Sequence, residues 1–206
     1  MKKIIALLLS IAMIGSTVTV HADEEGVLDR IAKTILSKIA EATTEEEFVI
    51  SHFADAHETI DFFEDATVEL PSDWLYSAQD DNTISMFPLG DESFVIVLSR
   101  SEYDPAELNG VSFDDTLLLA ASDAVLTGMA GEDVGSDSSE ITTLDNGNTA
   151  AIGAYLCDDN ETYCLDISTV YGDYLYALGA VTTLDIMEDE QYFDDLVAII
   201  SSIKEA

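Results

Sequence analysis

Cys157 and Cys164 are the residues whose type and spacing commit most directly to a chemistry. They are the chain's two cysteines, with six residues between them. In an exported chain such a pair reads as a disulfide, because oxidising compartments keep thiols bonded. A redox-active pair generally has two residues between its cysteines, and a basic neighbour or helix N-terminus that lowers a thiol pKa. Here the neighbours are Asp158, Asp159 and Glu161, which oppose ionisation. The expectation is a structural disulfide that clasps a hairpin. Its closed loop is small, so its stabilisation is about a few kcal/mol at most.

Four further residues are candidates for ligand contact: Trp74, Arg100, Tyr155 and Asp166. Trp74 is the single tryptophan and follows a Pro71-Ser72-Asp73 turn, a placement that suits a core plug or a stacking platform. Arg100 stands almost alone as a cation, with Glu102 and Asp104 as nearby ion-pair partners; anion recognition is its other reading. Tyr155 and Asp166 are expected to face each other across two strands. His52 and His57 are five residues apart, so on a helix they point to different faces, unlike the i,i+4 pair of zinc helices. The acidic Glu132–Ser139 loop lacks the ligand spacing of an EF-hand. No Gly-x-Ser-x-Gly, P-loop, Gly-x-Gly-x-x-Gly or His-Glu-x-x-His occurs. We assign no catalytic residue, no metal site and no cofactor from the sequence.

Composition narrows the partners. The 206 residues carry 42 acidic and 7 basic side chains, a formal charge of −35. Such a chain repels nucleic acid, whose phosphates need Lys and Arg to displace counterions. It attracts cations, basic peptides and cationic polymers, or simply stays soluble. Lys2 and Lys3, the apolar run Ile4–Ile14 and the Val20-His21-Ala22 site form an export signal, so the mature chain is expected to start at Asp23. The apolar run is short for a spanning helix, and no membrane insertion is expected after cleavage. The protein is thus expected outside the cell, or in the periplasm of a two-membrane bacterium.

These residues must be positioned by a regular frame. Residues 24–42 carry Val27, Leu28, Ile31, Ile35, Leu36 and Ile39 at the 3–4 spacing of an amphipathic helix. Residues 43–65 are ambiguous; a Thr44–Glu47 capping box favours a helix, while Phe48-Val49-Ile50 suits a strand. Strands are expected at 66–70, 83–87 and 93–99, the last apolar on both faces and therefore central. A helix over 114–129 starts at Asp114 or Asp115 and ends at Gly131, and a second runs over 187–204. Between them lies a four-strand meander, 140–182. An Asn146-Gly147 two-residue turn sets Ile141 against Ile152. A Gly172-Asp173 turn sets Ile167 against Leu178, and Cys157 opposite Cys164 sets Leu156 against Leu165. All three registers place Ile141, Ile152, Ala154, Leu156, Leu165, Ile167 and Leu178 on one face. The other face, with Ala151, Gly153, Val170, Leu175 and Ala177, is mostly small and lets a helix lie close.

The element order, with Val68-Glu69-Leu70-Pro71-Ser72-Asp73-Trp74 at its start, Tyr174-Leu175-Tyr176 in its last strand and the Ile199–Lys204 helix end, resembles the PsbP-like superfamily over residues 66–204. That resemblance implies an α+β fold, an α/β/α sandwich with a central antiparallel sheet of about six or seven strands and helices on both faces. It divides the chain into a signal peptide (1–22), an N-terminal helical segment (23–65) and the domain proper (66–206). It implies a non-enzymatic binding or accessory protein whose ligand, a protein or small molecule, is unknown; the acidic composition admits a cationic one. The alternatives are a small secreted hydrolase using paired carboxylates and an acidic cation-binding surface protein.

Overall fold

Two glycine-bearing hairpins set the frame. The computed structural model describes residues 52–53, 58–62, 65–72, 74–80, 82–88, 95–102, 114–131, 134, 138–157, 162–183 and 190–205. The export signal, the helix expected over 24–42 and most of the Glu132–Ser139 loop lie outside these residues. The strands are β1 (His52–Phe53), β2 (Glu58–Phe62), β3 (Ala66–Leu70), β4 (Trp74–Asp80), β5 (Thr83–Pro88), β6 (Val95–Glu102), β7 (Ser139–Thr143), β8 (Thr149–Leu156), β9 (Thr162–Tyr171), β10 (Tyr174–Thr183) and β11 (Lys204–Glu205). The helices are α1 (Asp115–Ala130) and α2 (Glu190–Ser201). The fold is α+β.

Eight strands, counting the two-residue β1, form an antiparallel sheet in the order β1-β4-β5-β6-β10-β9-β8-β7. A small second sheet runs β11-β3-β2. The strand β6 is interior, between β5 and β10, as its apolar run on both faces requires. The Gly172-Asp173 turn gives the expected register, with Tyr171 opposite Tyr174 and Ile167 opposite Leu178. Gly172 sits at φ 58°, in the left-handed region that glycine enters without strain.

The other two registers differ from expectation. Thr143 pairs with Thr149 and Ile141 with Ala151, one residue out of the expected phase. The loop has three residues, not two. Leu144 N–H donates to Asn148 O at 2.9 Å, and Gly147, at φ 87°, closes the turn by donating to Leu144 O. Asn146 is diverted from a two-residue turn: its Oδ1 accepts from Asn148 N, and its Nδ2 donates to Ser201 O at the end of α2. Since side chains alternate, this single step moves Ile141 to the opposite face, where it packs with α1. In the β8–β9 hairpin Tyr155, not Cys157, lies opposite Cys164, and Ala154 lies opposite Leu165. That slip is two residues, so faces are conserved.

Two apolar clusters result. One joins Leu165, Ile167, Leu178 and Ala180 to Ile96 and Leu98, to Trp74 and Tyr76, and to Tyr192, Leu196, Ile199 and Ile200 of α2. The other joins Val97, Ala151, Cys164, Leu175, Ala177 and Val181 to Leu118, Ala121, Val125, Leu126 and Met129 of α1. Helix α1 is capped as its sequence implies: Asp114 Oδ1 accepts from Leu117 N, and Gly131 ends the helix at φ 72°. Gly153 permits the close approach of α1. A Cβ there would fall against Ser139 Oγ and Leu126 Cδ1, with Ser122 Oγ at 3.0 Å.

Further expectations are corrected. The segment read as helix over 43–65 contains strands β1 and β2 where it is described. Ile60 of β2 belongs to the core, and its exposed neighbours Thr59 and Asp61 give the alternation of a half-buried strand, not a helical period. Strand β4 starts at Trp74, where only a turn was expected. The closing helix ends at Ser201, and Lys204 instead pairs with Thr67 in β11. Its Nζ meets Glu69 Oε1 at 2.8 Å and does not serve the end of α2.

Candidate functional site

The four candidate residues occupy different places on the frame. Trp74 begins β4, is 3% exposed and stacks on Tyr192 of α2, with ring centroids 6.5 Å apart. It is a core plug. Arg100 is near the end of β6, opposite Tyr176 of β10. Tyr155 and Asp166 lie on the α1 side of the sheet but do not face each other; Asp166 is opposite Gly153 and Tyr155 is opposite Cys164.

Arg100 is the centre of a buried cation site. Its Nη1 donates to Asp65 Oδ1 at 2.6 Å and its Nε to Asn82 Oδ1 at 3.2 Å. Its guanidinium lies 4.1 Å from the Tyr174 ring centroid, a cation–π contact. Burial alone would lower its pKa, but hydrogen bonding and charge from Asp65 and Tyr176 leave it above the ordinary arginine value. Burial raises the Tyr176 phenol in turn, opposed by the Arg100 hydrogen bond. The ion-pair expectation is right in kind, and the partner seen is Asp65, just before β3; Asp104, one of the expected partners, lies outside the described residues. Asp65 and Asn82 come from other turns and carry no sequence signal. Tyr174 and Tyr176 do, since an i,i+2 pair in a strand shares a face.

Asp166 heads a second polar cluster, between β7–β9 and α1. It is fully buried, and its Oδ2 accepts from Ser168 Oγ at 2.7 Å. Its Oδ1 has no hydrogen-bond partner. Ser122 of α1 lies close enough to the carboxyl to favour its charged form. Ser139 Oγ donates to Asp123 Oδ1 at 2.6 Å and lies 3.2 Å from Ser122 Oγ. Burial is the main cause that lifts Asp166 from 3.8 to about 7, and the charge of Asp123 adds to it; the Ser168 hydrogen bond and the Ser122 hydroxyl oppose the rise. The cluster can hold a proton at neutral pH. On the same side of the sheet, Thr83, Ser85 and Ser99 are buried with their hydroxyls unpaired. Sequence alternation alone would have put those three in water.

Cys157 and Cys164 are both buried, with sulfurs 3.7 Å apart. A disulfide needs about 2.05 Å. The structure therefore holds a thiol pair where the spacing predicts a bond. The register explains the gap: Cys157 N–H donates to Thr162 O, so the cysteines are diagonal across the hairpin and not directly opposed. Among the described residues no group of three or more His, Cys, Asp or Glu converges as a metal site. No helix among them is long and apolar enough to cross a membrane.

No family model matches the sequence, and no curated protein is significantly similar to it. Among solved structures, the chain is similar to cyanobacterial PsbP (CyanoP) of Synechocystis sp. PCC 6803, with a TM-score of 0.52 and 14% identity, covering 79% of this chain and 98% of that one. LpqN of Mycobacterium tuberculosis, a protein involved in cell envelope biogenesis, aligns at TM-score 0.38 and 16% identity over 85% of this chain and 96% of its own. A Bacteroides thetaiotaomicron VPI-5482 protein aligns at TM-score 0.44 and 8% identity over 68% of this chain; the alignment spans 45% of that protein's length. The PsbP likeness is one of fold, and the chain has a PsbP-like fold.

Proposed function

We propose that the protein is a secreted, non-enzymatic binding or accessory domain that engages a cationic protein or small ligand through its acidic surface. One observation carries the reading. From Ile39 onward the chain has two basic residues, Arg100 and Lys204, and both are tied to carboxylates in or beside β3. Exposed acids such as Asp61, Asp114, Asp115, Glu140, Asp145, Asp173 and Asp194 are left to set the outer field. The two apolar clusters, one with α2 and one with α1, support an α/β/α sandwich with helices on opposite sides of the sheet. In the same reading, residues 1–22 are removed on export, 23–65 are an N-terminal segment and 66–206 are the PsbP-like domain.

The test is retention on immobilised mature protein of components from its own culture medium and cell envelope, followed by elution along a salt gradient. A cationic species held at about 0.05 M salt and released by about 0.5 M supports the proposal, because screening shortens the reach of exposed charge. Retention that ignores salt would overturn the electrostatic reading. Glycoside turnover lost on changing either of two carboxyls would replace it with the hydrolase reading, which needs carboxyls roughly 5–9.5 Å apart across a cleft. Asp166, the carboxyl with the raised pKa, is sealed beneath α1 and is poorly placed for that role.

A further inference from the structure

We propose that Cys157 and Cys164 form a redox-convertible dithiol, closed into a disulfide by small disulfide oxidants of neutral or positive charge. The sulfurs are already in contact at 3.7 Å, so closure needs side-chain rotation and a small shift at the loop end of the β8–β9 hairpin. The two thiols are unequally sheltered. Both are packed in the cluster beneath α1, but Cys157, just past β8, is 6% exposed and Cys164, within β9, is 0% exposed. Attack therefore begins at Cys157.

The chemistry balances in two exchanges. The Cys157 thiolate attacks one sulfur of the oxidant, breaking its S–S bond; a mixed disulfide forms on Cys157 and one thiol leaves. The Cys164 thiolate then attacks Cys157 Sγ, and the second thiol leaves. Two protein thiols are oxidised, the oxidant is reduced to two thiols, and the two cysteine protons end on the departing sulfurs. The charge of the whole protein selects the oxidant: its formal net charge is −35. An anionic disulfide is repelled, and a cationic one is drawn in.

The experiment treats the reduced, folded protein with cystamine or with oxidised glutathione at equal concentration, and follows mass and free thiols. With cystamine we expect loss of two hydrogens, no lasting adduct and no free thiol. Oxidised glutathione should react more slowly by roughly tenfold, and the difference should shrink in high salt. Closure of this short loop should raise Tm on the order of 5 °C. In the Cys164→Ser variant the second exchange is blocked, so a cystamine adduct should accumulate on Cys157; Cys157→Ser should stay unreactive while folded. A lasting adduct on the unaltered protein, two thiols that react only after unfolding, or equal rates with both oxidants would overturn the proposal, and these readings on the unaltered protein do not depend on either variant folding.

Discussion

Asp166 places a carboxyl where water cannot reach it, and one of its oxygens accepts no hydrogen bond. In the unfolded chain an Asp titrates near pH 4. In the folded protein burial lifts it to about 7. A carboxyl raised in this way contributes fully to stability below its unfolded value, and that contribution is lost as pH rises through its folded value. A shift of this size corresponds to about 4 kcal/mol, spent between pH of about 4 and about 7. Asp166→Asn keeps an acceptor for Ser168 and cannot ionise. It should match the unaltered protein in urea denaturation near pH 3.5 and exceed it by about 2–4 kcal/mol at pH 8. Parallel pH–stability curves for the two proteins would show that Asp166 does not couple folding to protons. At this scale the sequence named Trp74, Arg100 and Asp166 as special but not their partners. Partners such as Asp65, Asn82 and Ser122 are set by which strands and helices meet, and local spacing is silent on that. Trp74 was also the easiest to place, because a single large apolar ring after a turn has few options but the core.

Gly153 shows how an element depends on one missing carbon. α1 comes close to β8 at this point, and the network of Ser122, Asp123 and Ser139 is assembled over it. Gly153→Ala would push a methyl into Leu126 and the two serines. We expect a loss of about 1–3 kcal/mol in denaturant unfolding, the usual range for overpacking. Ala154→Ser, one residue along on the exposed side, should change stability by less than about 0.5 kcal/mol. Equal effects from the two changes would mean that α1 is not held by this contact. The small-residue face over Ala151, Gly153 and Ala177 was legible in the sequence because strand alternation isolates it. The Gly172 hairpin was legible for the same reason, with a turn that admits one loop length. The Asn146-Gly147 hairpin was not, since the same dipeptide ends a three-residue loop as readily as it makes a two-residue one. The choice was made by contacts outside the hairpin: Asn146 reaches Ser201, and Leu144 is 3% exposed in the core. Strands β2 and β11 escaped notice because backbone pairing to β3, not an apolar pattern, defines them.

Across the whole molecule, charge is the dominant tension. A formal charge of −35 on 206 residues opposes compaction, because folding brings acids together that the extended chain keeps apart. The two basic residues beyond Ile39 offset little of it. Lys204 and Glu69 are both solvent-exposed, and such pairs add little to stability. Arg100 is buried and compensates only its own neighbourhood. The fold must therefore rest on its apolar clusters, which occupy both sides of β6, β9 and β10. Long-range repulsion of this kind yields to screening. The Debye length falls from about 30 Å at 0.01 M salt to about 10 Å at 0.1 M, a change from longer than most charge separations in a domain to shorter. Tm should accordingly rise on the order of 5 °C between 0.01 and 0.5 M sodium chloride, with most of the rise below 0.2 M. The measurement belongs at a fixed pH near 8, where Asp166 stays largely ionised and contributes no further proton uptake. Millimolar calcium or magnesium at constant ionic strength separates screening from binding. An equal Tm with sodium and with the divalent ions points to screening alone, and a larger rise with one of them points to a site. A melting temperature flat from low to high salt would show that the acids are spread too widely to oppose folding.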